Sequence, residues 1–165
     1  PYLKSLRREI SSAETSMNMI SLLNDRMQNS VDFPDLTMSD IYGNEHRLHD
    51  FTGSVILLDF WSVTSAQGRL NNAEYKQLFV QYFPEGFEIY QVAVDRDRSA
   101  WVNGVLDQKL PWITVSDLRG ETSQAVMAYN VRNVPSNYLI DRQGNIVAKN
   151  IYGDQLEAKL KELLK

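Results

Sequence analysis

The 165-residue chain predicts an α/β layer sandwich with a mixed central β-sheet, an N-terminal β-hairpin and an extra N-terminal helix. Three observations lead there. The run Val55-Ile56-Leu57-Leu58-Asp59-Phe60 lacks polar alternation, so it reads as a central strand buried on both faces. Strand-like and helix-like segments alternate from that run to the C-terminus, the pattern of helices laid on a sheet. Two extended stretches turn back on themselves, at Gly43-Asn44 and at Arg142-Gln143-Gly144, as antiparallel hairpins do.

The elements follow in order. Over residues 1–29, Leu3, Leu6, Ile10, Ala13, Met17, Ile20, Leu23 and Met27 recur at three- and four-residue spacing, one apolar face of a helix. That face needs burial against the following domain, an upstream module or a second copy of the chain. Residues 1–30 are therefore an amphipathic helix or linker, and residues 31–165 the main domain. Residues 33–52 form the first hairpin, which delivers the chain to the strand at 55–60. A helix is expected over 66–82, with Leu70, Ala73, Leu78 and Phe79 near one side. Residues 87–94 are β-rich. A polar loop, Asp95-Arg96-Asp97-Arg98-Ser99, leads to a helix over 100–108 that Ser99 can cap. Trp112–Val115 is extended, and Ser123–Tyr129 is a short helix. The second hairpin joins 136–141 to 145–149. Asp154 then caps a last helix carrying Leu156, Leu160, Leu163 and Leu164.

Composition removes several function classes. With 43% hydrophobic residues, the chain supports one real core and is too short for two ordinary domains. Its 17 basic and 21 acidic residues give a net charge of −4, so no nucleic-acid footprint is expected. No apolar stretch is long enough for a transmembrane segment. Any signal peptide or lipid anchor is expected upstream of Pro1. There is no cysteine, which excludes disulfides and thiolate metal sites. Asp95, Asp97 and Asp117 lack the spacing of a metal-ligand set and read as solvated loop acids and caps; no metal and no cofactor are expected. The two histidines, His46 and His49, fall in the first hairpin, away from the segment that follows the central strand.

Four segments together carry a family resemblance over residues 33–165: Leu48-His49-Asp50-Phe51-Thr52-Gly53; Leu57-Leu58-Asp59-Phe60-Trp61; Asn130-Val131-Arg132-Asn133-Val134-Pro135-Ser136; and Tyr138-Leu139-Ile140-Asp141-Arg142-Gln143-Gly144-Asn145-Ile146. The chain resembles the thioredoxin-like superfamily, and within it the thiol-disulfide oxidoreductases of the TlpA/ResA type, which grade into the AhpC/TSA group. The resemblance implies a thioredoxin-like sandwich and a periplasmic or cell-envelope location. It places the family's nucleophilic cysteine at Ser65, its resolving cysteine at Gly68, its buried acid at Asp59, its neighbouring ring at Trp61 and its cis-proline at Pro135, after Val134. Both cysteines are replaced. Thr64 stands where the family often has Trp, and Ala66-Gln67 where it often has Gly-Pro.

What remains chemically is narrower. A serine at a helix N-terminus is a good cap and a very weak acid, so Ser65 or Thr64 is expected to cap the helix. Gly68 cannot resolve a mixed disulfide. Asp59, stranded in an apolar strand, is expected to favour its protonated form and to be held by a hydrogen bond or water. The main chain at Val134-Pro135 can still pair with an extended peptide. The reading is a redox-inactive domain that binds a peptide or protein partner in a groove formed by Trp61, Thr64, Ser65, Gln67, Val134 and Pro135. Two alternatives stay open: non-thiol chemistry at the Ser65 hydroxyl, glutathione-transferase-like, and a structural module supporting an upstream domain. The sequence leaves the oligomeric state undetermined.

Overall fold

The structure, a computed structural model, describes residues 33–165. The helix expected over 1–29, and with it the proposed segment 1–30, lies outside the described residues. The strands are β1 (Thr37–Asp40), β2 (Glu45–Arg47), β3 (Val55–Trp61), β4 (Phe87–Ala93), β5 (Ile113–Ser116), β6 (Ser136–Ile140) and β7 (Ile146–Lys149). The helices, numbered from the first described residue, are α1 (Ala66–Tyr82), α2 (Arg98–Gln108), α3 (Gln124–Ala128) and α4 (Gly153–Leu163). One mixed sheet runs β2-β1-β5-β4-β3-β6-β7. Strands β3, β4 and β5 are parallel, while β1, β2, β6 and β7 attach antiparallel. This is the α/β sandwich with a mixed sheet and an N-terminal hairpin.

The pleat of β3 sorts two cores. Ile56, Leu58 and Phe60 pack with Tyr90, Val92, Val115, Leu36, Leu48 and the α3 residue Ala125. Val55 and Leu57 pack on the other face with Tyr75 and Phe79 of α1 and with Leu156 and Leu160 of α4. A third cluster joins Trp61 and Ala93, at the C-terminal ends of β3 and β4, to Trp101 and Val105 of α2. Every residue of β3 is buried, as its unbroken apolar run predicts.

Several local expectations differ from what forms. Leu70 and Ala73 are exposed, and the buried face of α1 carries Gly68, Asn71, Asn72, Tyr75, Phe79 and Tyr82. Phe79 is buried and Leu78 packs beside it as expected, but nearer the start of the helix the inward side meets polar groups on the sheet, so Leu70 and Ala73 do not mark it. Asp97, not Ser99, caps α2: its carboxylate accepts from the amides of Ser99 and Ala100, and the helix starts at Arg98. At α4 the cap position is Tyr152, and Asp154 sits inside the first turn, where its charge suits the helix dipole. Asp95 is buried, not solvated.

Candidate functional site

The site is built where β3 ends and α1 begins. Four interactions fix the intervening loop. The Asp95 carboxylate, from the end of β4, accepts from Ser62 Oγ at 2.7 Å and from the Val63 amide at 3.2 Å. Arg69 donates from α1 back to the Val63 carbonyl at 3.2 Å. The Ser65 amide donates to the Ser62 carbonyl. Ser65 Oγ accepts from the Gly68 amide at 3.0 Å, so Ser65 is the helix cap and Thr64 is not. A capping hydroxyl of this kind is worth about 1 kcal/mol.

Thr64 has a different role. Its Oγ1 lies 2.9 Å from Ser62 Oγ, and its amide donates to the same oxygen. Ser62 gives its only proton to Asp95 Oδ1. Thr64 Oγ1 therefore donates to Ser62 and turns its lone pairs outward. A chain from buried carboxylate to exposed hydroxyl results.

Gly68 packs closely on the loop. A Cβ built there would lie 3.3 Å from Ser65 Cβ and 3.6 Å from the Ser62 carbonyl oxygen. The two positions that hold cysteines in the resembling family thus remain close together.

Behind the loop, the pleat lines up four polar residues across four strands. Thr114 of β5 is opposite Gln91 of β4, Gln91 opposite Asp59 of β3, and Asp59 opposite Asn137 of β6. All four are buried. Gln91 Oε1 accepts from Trp112 Nε1 at 2.9 Å and from Thr114 Oγ1 at 3.0 Å. Indole nitrogen only donates, which fixes the Gln91 amide with its NH2 toward Asp59 Oδ2, at 3.0 Å, and Asn72 Oδ1, at 2.7 Å. Asn137 is fixed likewise: its Oδ1 accepts from the Ile151 amide, and its Nδ2 donates to the Ile151 carbonyl and to Tyr75 OH. Tyr75 is then left to donate to Asp59 Oδ1 at 3.1 Å.

With Asp59 ionised, both its oxygens accept, one from the Gln91 amide and one from the Tyr75 hydroxyl. Burial works against that charge and pushes its pKa up to about 7, even though the hydrogen bonds from Gln91 and Tyr75 pull it down. Burial and the adjacent Asp59 charge push the Tyr75 hydroxyl well above its ordinary value, which keeps it a donor. Tyr152 is moved to about 12, by burial and then by the same charge.

A groove of about 570 Å³ opens between α1, the 135 loop and the start of α4, lined by Gln67, Asn71, Glu74, Pro135, Tyr152 and Gly153. The Val134–Pro135 peptide is cis. Of the expected groove residues, Gln67 and Pro135 line it. Trp61 does not: it is fully buried against Val63 and Trp101, out of reach of any ligand. Thr64, Ser65 and Val134 also lie outside the lining, Val134 packing toward the Phe60 core. Sequence reasoning missed Asn71, Glu74 and Tyr152, although a seven-residue spacing from Gln67 to Glu74 carries one helix face along the opening. It also missed Gln91, Asn72, Asn137 and Thr114, which neighbour Asp59 only through the sheet and the covering helix. His46 and His49 bond to Asp40 and to the Phe33 carbonyl, in the hairpin.

Comparison with known proteins agrees with this scaffold. The model of the AhpC/TSA family matches residues 30–149. The thiol-disulfide oxidoreductase ResA of Bacillus thuringiensis subsp. konkukian is 27% identical over 141 residues, covering 86% of this chain and 79% of its own. Geobacillus kaustophilus ResA is 29% identical over 113 residues, covering 68% and 63%. Among solved structures, a thiol-disulfide oxidoreductase from Bacteroides fragilis superposes with a TM-score of 0.73 at 30% identity, covering 79% of this chain and 97% of that one. The thioredoxin domain of a Bacteroides vulgatus thiol-disulfide oxidoreductase gives 0.75 at 28%, covering 84% and 98%. A matched family model over most of the chain, a shared fold and a cysteine-free loop at the motif position lead to one statement: the chain belongs to the AhpC/TSA family, as a thioredoxin-like protein of the ResA type that has lost both motif cysteines.

Proposed function

We propose that this protein is a redox-inactive member of its family that binds an extended segment of a peptide or protein in the groove between Gln67 and Pro135. The observation that carries the reading is the loop at 62–69, held in one geometry by Asp95, Arg69 and the Ser65 cap, beside an open groove. Nothing in that arrangement depends on a thiol. On the family resemblance, the place of action is the periplasm or cell envelope. Titration of isotopically labelled protein with a set of extended peptides tests the reading. Amide shifts are expected to cluster at Gln67, Asn71, Glu74 and Gly153 and to vanish in Tyr152→Ala. Shifts confined to other faces, or none, would overturn it.

A second reading is favoured by the Asp95–Ser62–Thr64 chain. It supplies a carboxylate, through one hydroxyl, to an exposed hydroxyl at the start of a helix, where backbone amides could receive an oxyanion. On this reading Thr64, not Ser65, is the reacting hydroxyl, since Ser65 Oγ is engaged as the cap. Hydrolysis of an activated ester by the wild type, lost in Thr64→Val and in Asp95→Asn, would support it. Equal rates in all three would sink it. The glutathione-like alternative gains no support, because the described residues of the groove lining offer no cation to a ligand with two carboxylates.

A further inference from the structure

We propose that the groove selects an extended peptide carrying a lysine or arginine side chain, and that Glu74 receives that cation. The inference rests on the groove reading above and adds the charge of the ligand.

Among the described residues, the charged side chain in the groove lining is an acid, Glu74. It is exposed on α1, and among the described residues no cation pairs with it. Asp154 follows Gly153 directly. Among the described residues, no lysine, arginine or histidine lines the groove. Arg69, on the same helix, is committed to the Val63 carbonyl.

Two helix N-termini reach this place, and a helix N-terminus favours an anion. The first is capped by Ser65, which takes the Gly68 amide with its hydroxyl and the Arg69 amide with its carbonyl. The second, that of α4, has no side-chain cap but carries the Asp154 carboxylate in its first turn. What is left for a ligand is an acidic opening.

The neutral part of the lining suits a main chain. Gln67 donates its NH2 to Asn71 Oδ1 at 3.0 Å. The Gln67 carbonyl oxygen and the Asn71 NH2 are then free to meet one N–H and one C=O of a peptide unit. Side chains on alternate positions of an extended strand point to one side, so a single residue of the ligand can present its charge to Glu74.

The test uses three fluorescent peptides, Thr-Val-Thr-Val-Lys-Val-Thr-Val-Thr and its versions with Gln or Glu at the centre, measured by anisotropy against the whole chain. The Lys peptide is expected to bind about fivefold more tightly than the Gln peptide, the gain of one partly exposed ion pair, and the Glu peptide least tightly. The preference should shrink in high salt. Glu74→Gln should erase the difference between the Lys and Gln peptides, and Glu74→Lys should reverse the preference toward the Glu peptide. Glu74 is exposed, so neither variant disturbs the core. Equal affinity for all three peptides, or a Lys preference that survives Glu74→Gln, overturns the charge selection and leaves the groove reading standing. Binding of none of the three overturns both.

Discussion

Asp95 Oδ1 accepts a 2.7 Å hydrogen bond from Ser62 Oγ across 33 residues of sequence, tying the end of β4 to the loop that opens α1. Its other oxygen holds the Val63 amide. The loop where the family resemblance places a dithiol is here fastened from beneath by a buried carboxylate.

Removing that carboxylate strands two buried donors. Asp95→Ala is expected to cost about 3 kcal/mol, most of it from the unsatisfied Ser62 hydroxyl and Val63 amide. Ser62→Ala should cost less, since Asp95 keeps the Val63 amide. Urea midpoints give the order, and faster amide exchange at Thr64 and Ser65 in Asp95→Ala would show that the loop itself has loosened. Equal stability of wild type and Asp95→Ala would refute the tie.

Asp59 should leave a pH signature. Its folded pKa, about 7, lies above its ordinary 3.8. Between those values the folded state holds a proton that the unfolded chain has released. Stability therefore falls as pH rises from about 4 to about 7 and levels off above, by roughly a few kcal/mol at most. Unfolding free energies across that range, compared with Asp59→Asn, isolate the effect: the falling slope should flatten in the variant. A slope that persists unchanged assigns it to other groups, such as Glu88, whose pKa burial also raises.

The wild type should be inert in a disulfide-reduction assay with insulin. Ser65→Cys with Gly68→Cys should change that. The Cβ separation of 3.3 Å is close to the 3.5–4.5 Å that a disulfide spans, so a small shift allows the bond. The expected outcomes are a loss of two free thiols on oxidation and measurable turnover. A variant that folds yet keeps both thiols under oxidant would show that the loop no longer permits the chemistry.

Gly104 of α2 faces the same loop. A Cβ there would meet Val63 Cγ1 at 2.7 Å and Val63 Cβ at 3.0 Å. Gly-to-Ala in a helix interior normally gains up to about 1 kcal/mol. Here the stiff, β-branched Val63 has to move, and Gly104→Ala is expected to destabilise by about 1–3 kcal/mol. A thermal melt decides the sign. Gly104→Ala combined with Val63→Ala should recover part of the loss.

The fold was legible because its strongest signals are local. The buried run of β3, the turn at Gly43-Asn44 and the glycine of the second hairpin each declare themselves within a few residues. The site was legible only at its covalent positions. Ser65 and Gly68 are found by counting from Trp61, but Asp95 looks like any acid in a polar loop until the structure brings it under Ser62. The inner face of α1 misleads for a related reason. It meets a row of polar side chains, so Asn71 and Asn72 go in while Leu70 and Ala73 stay out. Hydrophobic periodicity finds a helix face only where the facing layer is apolar. The members of that row, Thr114, Gln91, Asp59 and Asn137, are neighbours through strand register alone, and no spacing in the chain announces them.

The fastening of the 62–69 loop also sets how the protein can be governed. A dithiol has two covalent forms, and a loop built on one can differ between them. Hydrogen bonds from Asp95, Arg69 and Ser65 offer no such pair of forms. Whatever occupies the groove meets the same surface in an oxidising or a reducing surrounding. On the proposed peptide-binding reading, its occupancy is then expected to follow concentration, pH and salt, with no thiol of this chain to couple it to the ambient electron supply.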